Sequence, residues 1–387
     1  MKGIYFTTIC DIEDNSDDSF PGIREKIRKQ VAVFRDHGID LHFWYAGDKS
    51  EKSRLFKYIS RLPLYRDKYE LSRETVNNAD FIYVRKPLLI NMGLVDLLRR
   101  IRTENPKIKI LLEVPTYPYD NEVKGLFQMP YLLKDRYARK NLRRYVDVIL
   151  TYSDDKEIFG IKTINISNGI DTKAISESLD RALEEKPHPD DGTVRFIACA
   201  MFDFWHGYDR AIEGLHRYMQ DPGADKRIEL EIVGDGPLLG AYKELVGKYG
   251  LQKYVRFHGK LQGKDLAEVY AVSDIGLDSM GRHRSGVFYN SSLKGKEYCA
   301  YGLIIVSGVK TELDNDGAYE YYFRVPADDS PVDFHEVMDF YRTVTDNGSR
   351  RAEVRKRIMS YAAEHFSMEA VLRPVIDYVY GDGAERI

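Results

Sequence analysis

The feature that most constrains this chain is an alternation of short apolar runs with stretches of helical periodicity, and it occurs twice. In the first pass KGIYFTT (2–8) is an apolar run, after which Ile23, Ile27, Val31 and Phe34 recur at helical spacing until Gly38. Ile39, Leu41, Phe43 and Tyr45 then alternate with period two. FIYV (81–84), a helical set at Leu94, Leu97, Leu98 and Ile101, IKILLEV (108–114), VDVILTY (146–152) and TINI (163–166) complete the series. Beyond a Pro- and charge-rich stretch the pattern restarts with VRFIACA (194–200), ELEIVG (229–234), VRFHG (255–259), DIGL (274–277) and LIIVSG (303–308), each separated from the next by a helical stretch. Strands alternating with helices predict parallel sheets covered on both faces. Each half therefore reads as a Rossmann-like α/β domain.

This pattern sets the expected organisation. Residues 1–175 form the first domain, 176–193 a linker that includes RALEEKPHPDDG, and 194–365 the second domain. Residues 366–387 are expected to be a helix packing back on the first domain. Two such domains direct a ligand to a cleft at the carboxyl ends of their strands.

Charge and cysteine content exclude several classes. With 58 basic and 61 acidic residues among 387, the chain lacks the basic excess of a bulk nucleic-acid binder. Cys10, Cys199 and Cys299 stand far apart, which fits a reducing compartment and excludes a disulfide scaffold or a CxxC zinc site. No apolar run approaches the roughly 20 residues needed to span a bilayer, and the start is too short for a signal peptide. A soluble, cytoplasmic protein is expected, free to rest on the inner face of a membrane.

The second half holds the segments that can carry chemistry. Gly234-Asp235-Gly236-Pro237 follows a strand and opens a helix, a turn that lets backbone N–H groups approach an anion. Alone, such a strand-to-helix turn with two glycines is commonly only a turn. In GRHRSGVFYNSSLKGKEYCAYGLIIVSG (281–308), a basic loop leads into Asn290, Ser291 and Ser292, natural helix N-caps, followed by Leu293, Lys294 and Glu297. A helix start flanked by Arg and Lys suits phosphate, although a capped surface helix with a solvated Lys–Glu pair would look the same.

Taken in order, GDGP, VRFHG, LAEVYAVSDIGL and SLKGKEYCAYGLIIV resemble the donor domain of the GT-B glycosyltransferases of family 4. Asn168-Gly169-Ile170-Asp171 resembles the NGVD junction between the domains of that family. The resemblance implies two Rossmann-like domains and retaining transfer from a nucleotide sugar, UDP-linked by family weight, with no cofactor and no metal. It implies that Gly234, Asp235, Gly236, Gly259, Lys260, Ser291, Ser292, Leu293 and Glu297 bind the donor, with Glu297 on the ribose hydroxyls. Tyr289 stands where the family has a sugar-contacting Glu, and Ala200 and His206 stand where it has its phosphate-binding Arg and Lys. Arg284 and Lys294 are the expected replacements, with His206 assisting as imidazolium or hydrogen-bond donor.

In the first half, EVPTYPYD (113–120) ends a strand, and Tyr117, Tyr119, Asp120 and the earlier Arg85 are candidates for sugar or acceptor contacts. Two stretches, 56–73 and 131–145, mix basic residues with aromatics. The second suits an anionic membrane surface through a basic amphipathic helix, although such a helix is more often a solvated face over a core. The expected function is transfer of a sugar to a saccharide or lipid-linked acceptor, as in surface-polysaccharide synthesis. A sugar-nucleotide epimerase or a non-catalytic partner subunit on the same fold are the alternatives. A nicotinamide dehydrogenase is disfavoured, because CDIEDNSDD stands where a GxGxxG would follow the first strand.

Overall fold

The computed structural model describes residues 1–14, 20–47, 65–120, 128–317 and 319–381. The chain divides into two compact units, one of Met1–Ser167 with Val371–Ile387, the other of Asn168–Ala370.

The first unit contains β1 (Lys2–Thr7), α1 (Pro21–Asp36), β2 (Asp40–Tyr45), α2 (Arg73–Asn77), β3 (Phe81–Arg85) and α3 (Met92–Glu104). β4 (Lys109–Val114), α4 (Met129–Arg139), a 3-10 turn at Leu142–Arg144, β5 (Val148–Thr151), β6 (Glu157–Ile158) and β7 (Ile161–Asn165) follow. Its seven-stranded sheet has the order β2-β1-β3-β4-β5-β7-β6, parallel except for the short antiparallel β6. β3 is buried at every position, which is why it reads as an uninterrupted apolar run with Arg85 at its end.

The second unit contains α5 (Thr172–Glu185), β8 (Val194–Met201), α6 (Tyr208–Gln220), β9 (Ile228–Asp235), α7 (Leu239–Lys248), β10 (Val255–Gly259) and α8 (Gly263–Ala271). β11 (Ile275–Leu277), α9 (Leu293–Ala300), β12 (Ile304–Ser307), β13 (Tyr322–Arg324), α10 (Phe334–Thr345) and α11 (Arg351–Phe366) complete it. A last helix, α12 (Met368–Tyr380), carries the chain from the second unit back into the first. The six-stranded sheet has the order β10-β9-β8-β11-β12-β13, all parallel. That is the doubly wound order, with reversal at the β8/β11 boundary.

The structure corrects the expected boundaries. Most of the stretch read as a linker is α5, whose Leu179 and Ala182 are buried in the second unit's core. The Pro and Gly signals that suggested a linker lie only after Glu185, so the composition cue was real but shorter than read. The first unit ends at Ser167, and its C-terminal portion begins at Val371. There the Lys109 ammonium donates to the carbonyls of Tyr378 (2.9 Å), Val379 (3.0 Å) and Gly381 (2.5 Å).

Candidate functional site

In an open doubly wound sheet, the strands on either side of the reversal send their following loops apart and leave a crevice at their carboxyl ends. In the second unit those loops are 202–207, after β8, and 278–292, after β11. They are held against each other by backbone. Met280 N–H donates to the His206 carbonyl at 2.7 Å. Gly207 has φ +64°, and a Cβ there would lie 2.6 Å from the Gly281 nitrogen, so only glycine allows this approach.

The side chains gathered here are largely cationic. Lys294, in the first turn of α9, donates to Tyr208 Oη (3.0 Å) and Ser279 Oγ (3.2 Å), and lies 3.3 Å from the Asp278 carboxylate. Asp278 is fully buried and also accepts from Ser292 Oγ at 3.2 Å. Ser292 caps α9 by accepting from Gly295 N–H at 3.1 Å. Ser291 donates to Glu312 (3.1 Å) and accepts from Lys296 (2.6 Å). Leu293 is about half exposed at 49%. Burial lowers the affinity of the Lys294 ammonium for its proton, and Asp278 opposes that shift.

Glu297 lies one turn beyond Lys294, yet the two do not form the expected surface pair: Lys294 turns to Asp278 instead. The Glu297 carboxylate is half-buried and has no hydrogen-bond partner among the described residues. Desolvation holds its carboxyl above the usual carboxylate range, with Lys294 pulling the other way.

The surroundings of His206 disfavour the imidazolium. The residue is buried, and desolvation, then Lys294 and Arg282, push it down to about 3. Its Nδ1 accepts from Asp203 N–H at 3.0 Å, which leaves the proton on Nε2. A neutral Nε2–H donor is the role the geometry leaves open.

Arg284 is also not a free cation. Its Nη1 and Nη2 donate to Asp209 at 2.9 and 2.8 Å, and its Nε donates to Asp329 at 2.7 Å. It straps the 282–285 turn to the start of α6. The other donor-side candidates are placed as follows. A Cβ on Gly234 or Gly236 would meet the backbone of Ala200 or Phe202, so close packing of the β8 end accounts for both glycines. Asp235 accepts from Gly236 N–H and lies 3.5 Å from Lys260, while Gly259 takes φ +70° at the end of β10. Tyr289 forms an isolated bridge with Lys310.

The first unit places its candidates deep or in ion pairs. Arg85 donates to Glu113 at 2.7 Å, with the two side chains 4% and 0% exposed. Tyr83 (2.9 Å) and Tyr152 (2.7 Å) also donate to Glu113. Tyr119 is buried and donates to Asp135 at 2.8 Å, and Tyr117 packs edge-on to Phe159. Asp120 receives Arg139 (2.6 and 3.1 Å) and Arg136 (3.0 Å). These contacts tie Arg85, Tyr119 and Asp120 to protein rather than offering them to an acceptor. The described residues of this unit line a pocket of about 720 Å³ at its own switch point between β1 and β3. Thr8, Ile9, Tyr65, Tyr69, Leu88 and Leu89 are among its lining residues.

No family model matches the sequence, and no curated protein matches it either. Solved structures do resemble it. A glycosyltransferase from Rickettsia africae ESF-5 aligns with a TM-score of 0.58 at 12% identity, over 98% of this chain and 97% of its own. HepE of Anabaena, in complex with UDP, gives 0.58 at 12% identity over 98% and 99%. WaaG, a glycosyltransferase involved in lipopolysaccharide biosynthesis, gives 0.55 at 12% identity over 99% and 100%. The chain has the GT-B glycosyltransferase fold.

Within this GT-B chain, sequence reasoning missed two residues of the second unit's crevice and the whole pocket of the first. Asp278 was hidden in a strand-end run, SDIGLDSMG, whose only visible signal was a carboxylate among small residues. Arg282 was passed over for Arg284 two positions later. Their difference lies in partners at Asp209 and Asp329, which no local pattern reveals. Among the described residues, no group of three or more His, Cys, Asp or Glu is placed to hold a metal. No described helix is long and apolar enough to cross a membrane.

Proposed function

We propose that the protein is a retaining, metal-independent glycosyltransferase that moves a sugar from a nucleoside-diphosphate donor to a saccharide or lipid-linked acceptor. The observation that carries this reading is Glu297. A half-buried carboxylate with no hydrogen-bond partner among the described residues, just over one turn into a helix at the switch point of a doubly wound sheet, suits a pair of ribose hydroxyls. The fold neighbours support it, since HepE structures hold UDP and UDP-glucose. Lys294 and the His206 Nε2–H face the same crevice, where charge grows on a departing diphosphate. The retaining chemistry implied by the resemblance lets the donor phosphate take the acceptor proton, so no carboxylate pair of the glycosidase kind is required. The pocket between β1 and β3 is the acceptor site in this reading, and WaaG's role in lipopolysaccharide synthesis supports a surface-polysaccharide acceptor.

The test is incubation with a panel of UDP- and GDP-sugars, with and without saccharide or lipid-linked acceptors, following nucleoside-diphosphate release and product sugar. Acceptor-dependent release supports transfer. Conversion of the donor sugar to an epimer without release would show an epimerase instead, and nucleotide binding without turnover of any donor would show a non-catalytic subunit.

A further inference from the structure

The crevice holds one more charged side chain that the fold leaves uncompensated. Arg282 is the first residue of the 282–285 turn and is half-buried. Its guanidinium carbon lies 5.6 Å from the centroid of the Trp205 ring, and its Nε is buried with no hydrogen-bond partner. No ion pair to a described residue holds it. The neighbouring cations are all engaged: Arg284 by Asp209 and Asp329, Lys296 by Glu312, and Lys294 by Asp278. Asp278 is the one carboxylate acting on both Lys294 and Arg282, and Lys294 is shared in addition with Glu297, which leaves Arg282 the less compensated of the two cations. Burial works against the Arg282 charge, and Lys294 and Arg282 together disfavour protonation of His206.

A partly desolvated guanidinium without acceptors costs the folded state free energy that an anion would return. Its planar donors match phosphate oxygens in pairs, and the Trp205 ring offers the cation a π face. We infer that Arg282, lying over the Trp205 ring and flanked by Lys294, holds the diphosphate of the donor and stabilises it as a leaving group. The inference rests on the nucleotide-donor reading given above. It also answers the chemical problem set by Ala200 and His206: the phosphate cations come from the loop after β11 and from the start of α9 instead of the loop after β8. Arg284 then has a different task, keeping that loop in place.

The experiment compares wild type with Arg282→Ala in calorimetric titrations with UDP and GDP, and in competition with inorganic pyrophosphate and with uridine or guanosine. For whichever nucleoside diphosphate binds, Arg282→Ala should weaken affinity at least tenfold and remove competition by pyrophosphate, while leaving the nucleoside's affinity unchanged. Because the Arg282 side chain donates no hydrogen bond to a described residue, the melting temperature of the ligand-free variant should equal or exceed that of wild type. Unchanged diphosphate affinity in Arg282→Ala would overturn the assignment, as would a lowered melting temperature with nucleoside and diphosphate affinities falling together. Wild type that binds neither UDP nor GDP would instead overturn the nucleotide-donor reading on which the inference rests.

Discussion

Asp209, in the first turn of α6, receives both terminal nitrogens of Arg284 at 2.9 and 2.8 Å. The contact joins two loops on either side of the switch point, and both side chains keep partial access to water. Such a bidentate pair contributes on the order of 1 kcal/mol. Arg284→Ala should therefore lower stability in urea by about that amount. Its effect on diphosphate affinity should be smaller than that of Arg282→Ala, and a larger effect would move the ligand to Arg284.

Glu297 links donor binding to pH. Its carboxyl is held above the ordinary range by desolvation, and only the ionised form accepts from two hydroxyls. Nucleoside-diphosphate affinity should fall on acidification at a higher pH than an exposed glutamate would dictate. Glu297→Gln should lose roughly one to two orders of magnitude of affinity at neutral pH. It should also lose that acid limb, as titration calorimetry from pH 5 to 8 would show.

His206 makes the opposite contribution to the fold. Its folded value of about 3 lies below the 6.5 of an unperturbed imidazole. Between those values the unfolded chain binds more protons than the native one, so stability rises with pH across this window and is lost as pH falls through it. Denaturation of His206→Asn should accordingly show a shallower loss of stability between pH 6.5 and pH 4. An equally steep loss in the variant would assign the dependence to other groups.

The Arg85–Glu113 pair lies out of water, with Tyr83 and Tyr152 also donating to the carboxylate. Truncating one partner strands the other. Arg85→Met should cost about 3–5 kcal/mol by denaturant titration. Glu113→Gln, which keeps an acceptor for the tyrosines, should cost less, and the reverse order would deny the pair its structural role.

The basic helix gives the membrane reading a concrete form. Met129, Leu133 and Tyr137, 40%, 58% and 64% exposed, follow one another at four-residue steps along α4. Lys140, Arg143 and Arg144 are exposed beyond its end, with no ion pair among the described residues. Arg136 and Arg139 are instead committed to Asp120. Vesicles containing anionic lipid should sediment the protein at low salt and release it at high salt. Leu133→Ser with Tyr137→Ser should abolish sedimentation without affecting nucleotide binding. Wild type left in the supernatant at low salt would identify this as a solvated face.

Much of the architecture was legible because parallel strands buried on both faces leave continuous apolar runs, as FIYV and LIIV do. The boundary was not, because α5 carries Glu, Asp and Arg on its outer face and its burial rests on a few residues such as Leu179 and Ala182. In the crevice, the placement of Lys294 and Glu297 on one helix capped by Ser292 could be read from spacing. Arg282 and Arg284 could not be ranked, since their difference is made by Trp205, Asp209 and Asp329, far away in sequence. For His206 the choice between imidazolium and neutral donor could not be read locally, because burial and the cations Lys294 and Arg282, far away in sequence, act on its charge. Part of the basic stretch 56–73, residues 56–64, lies outside the described residues.

The return of the chain at Val371 has a practical consequence for dissection. The second unit is an insertion within the first, so no single cut yields two whole halves. A fragment ending at Ser167 would leave the Lys109 ammonium without the three carbonyls it holds near the C-terminus. Excising residues 168–370 and rejoining the flanks, or permuting the ends into that junction, preserves both units in full.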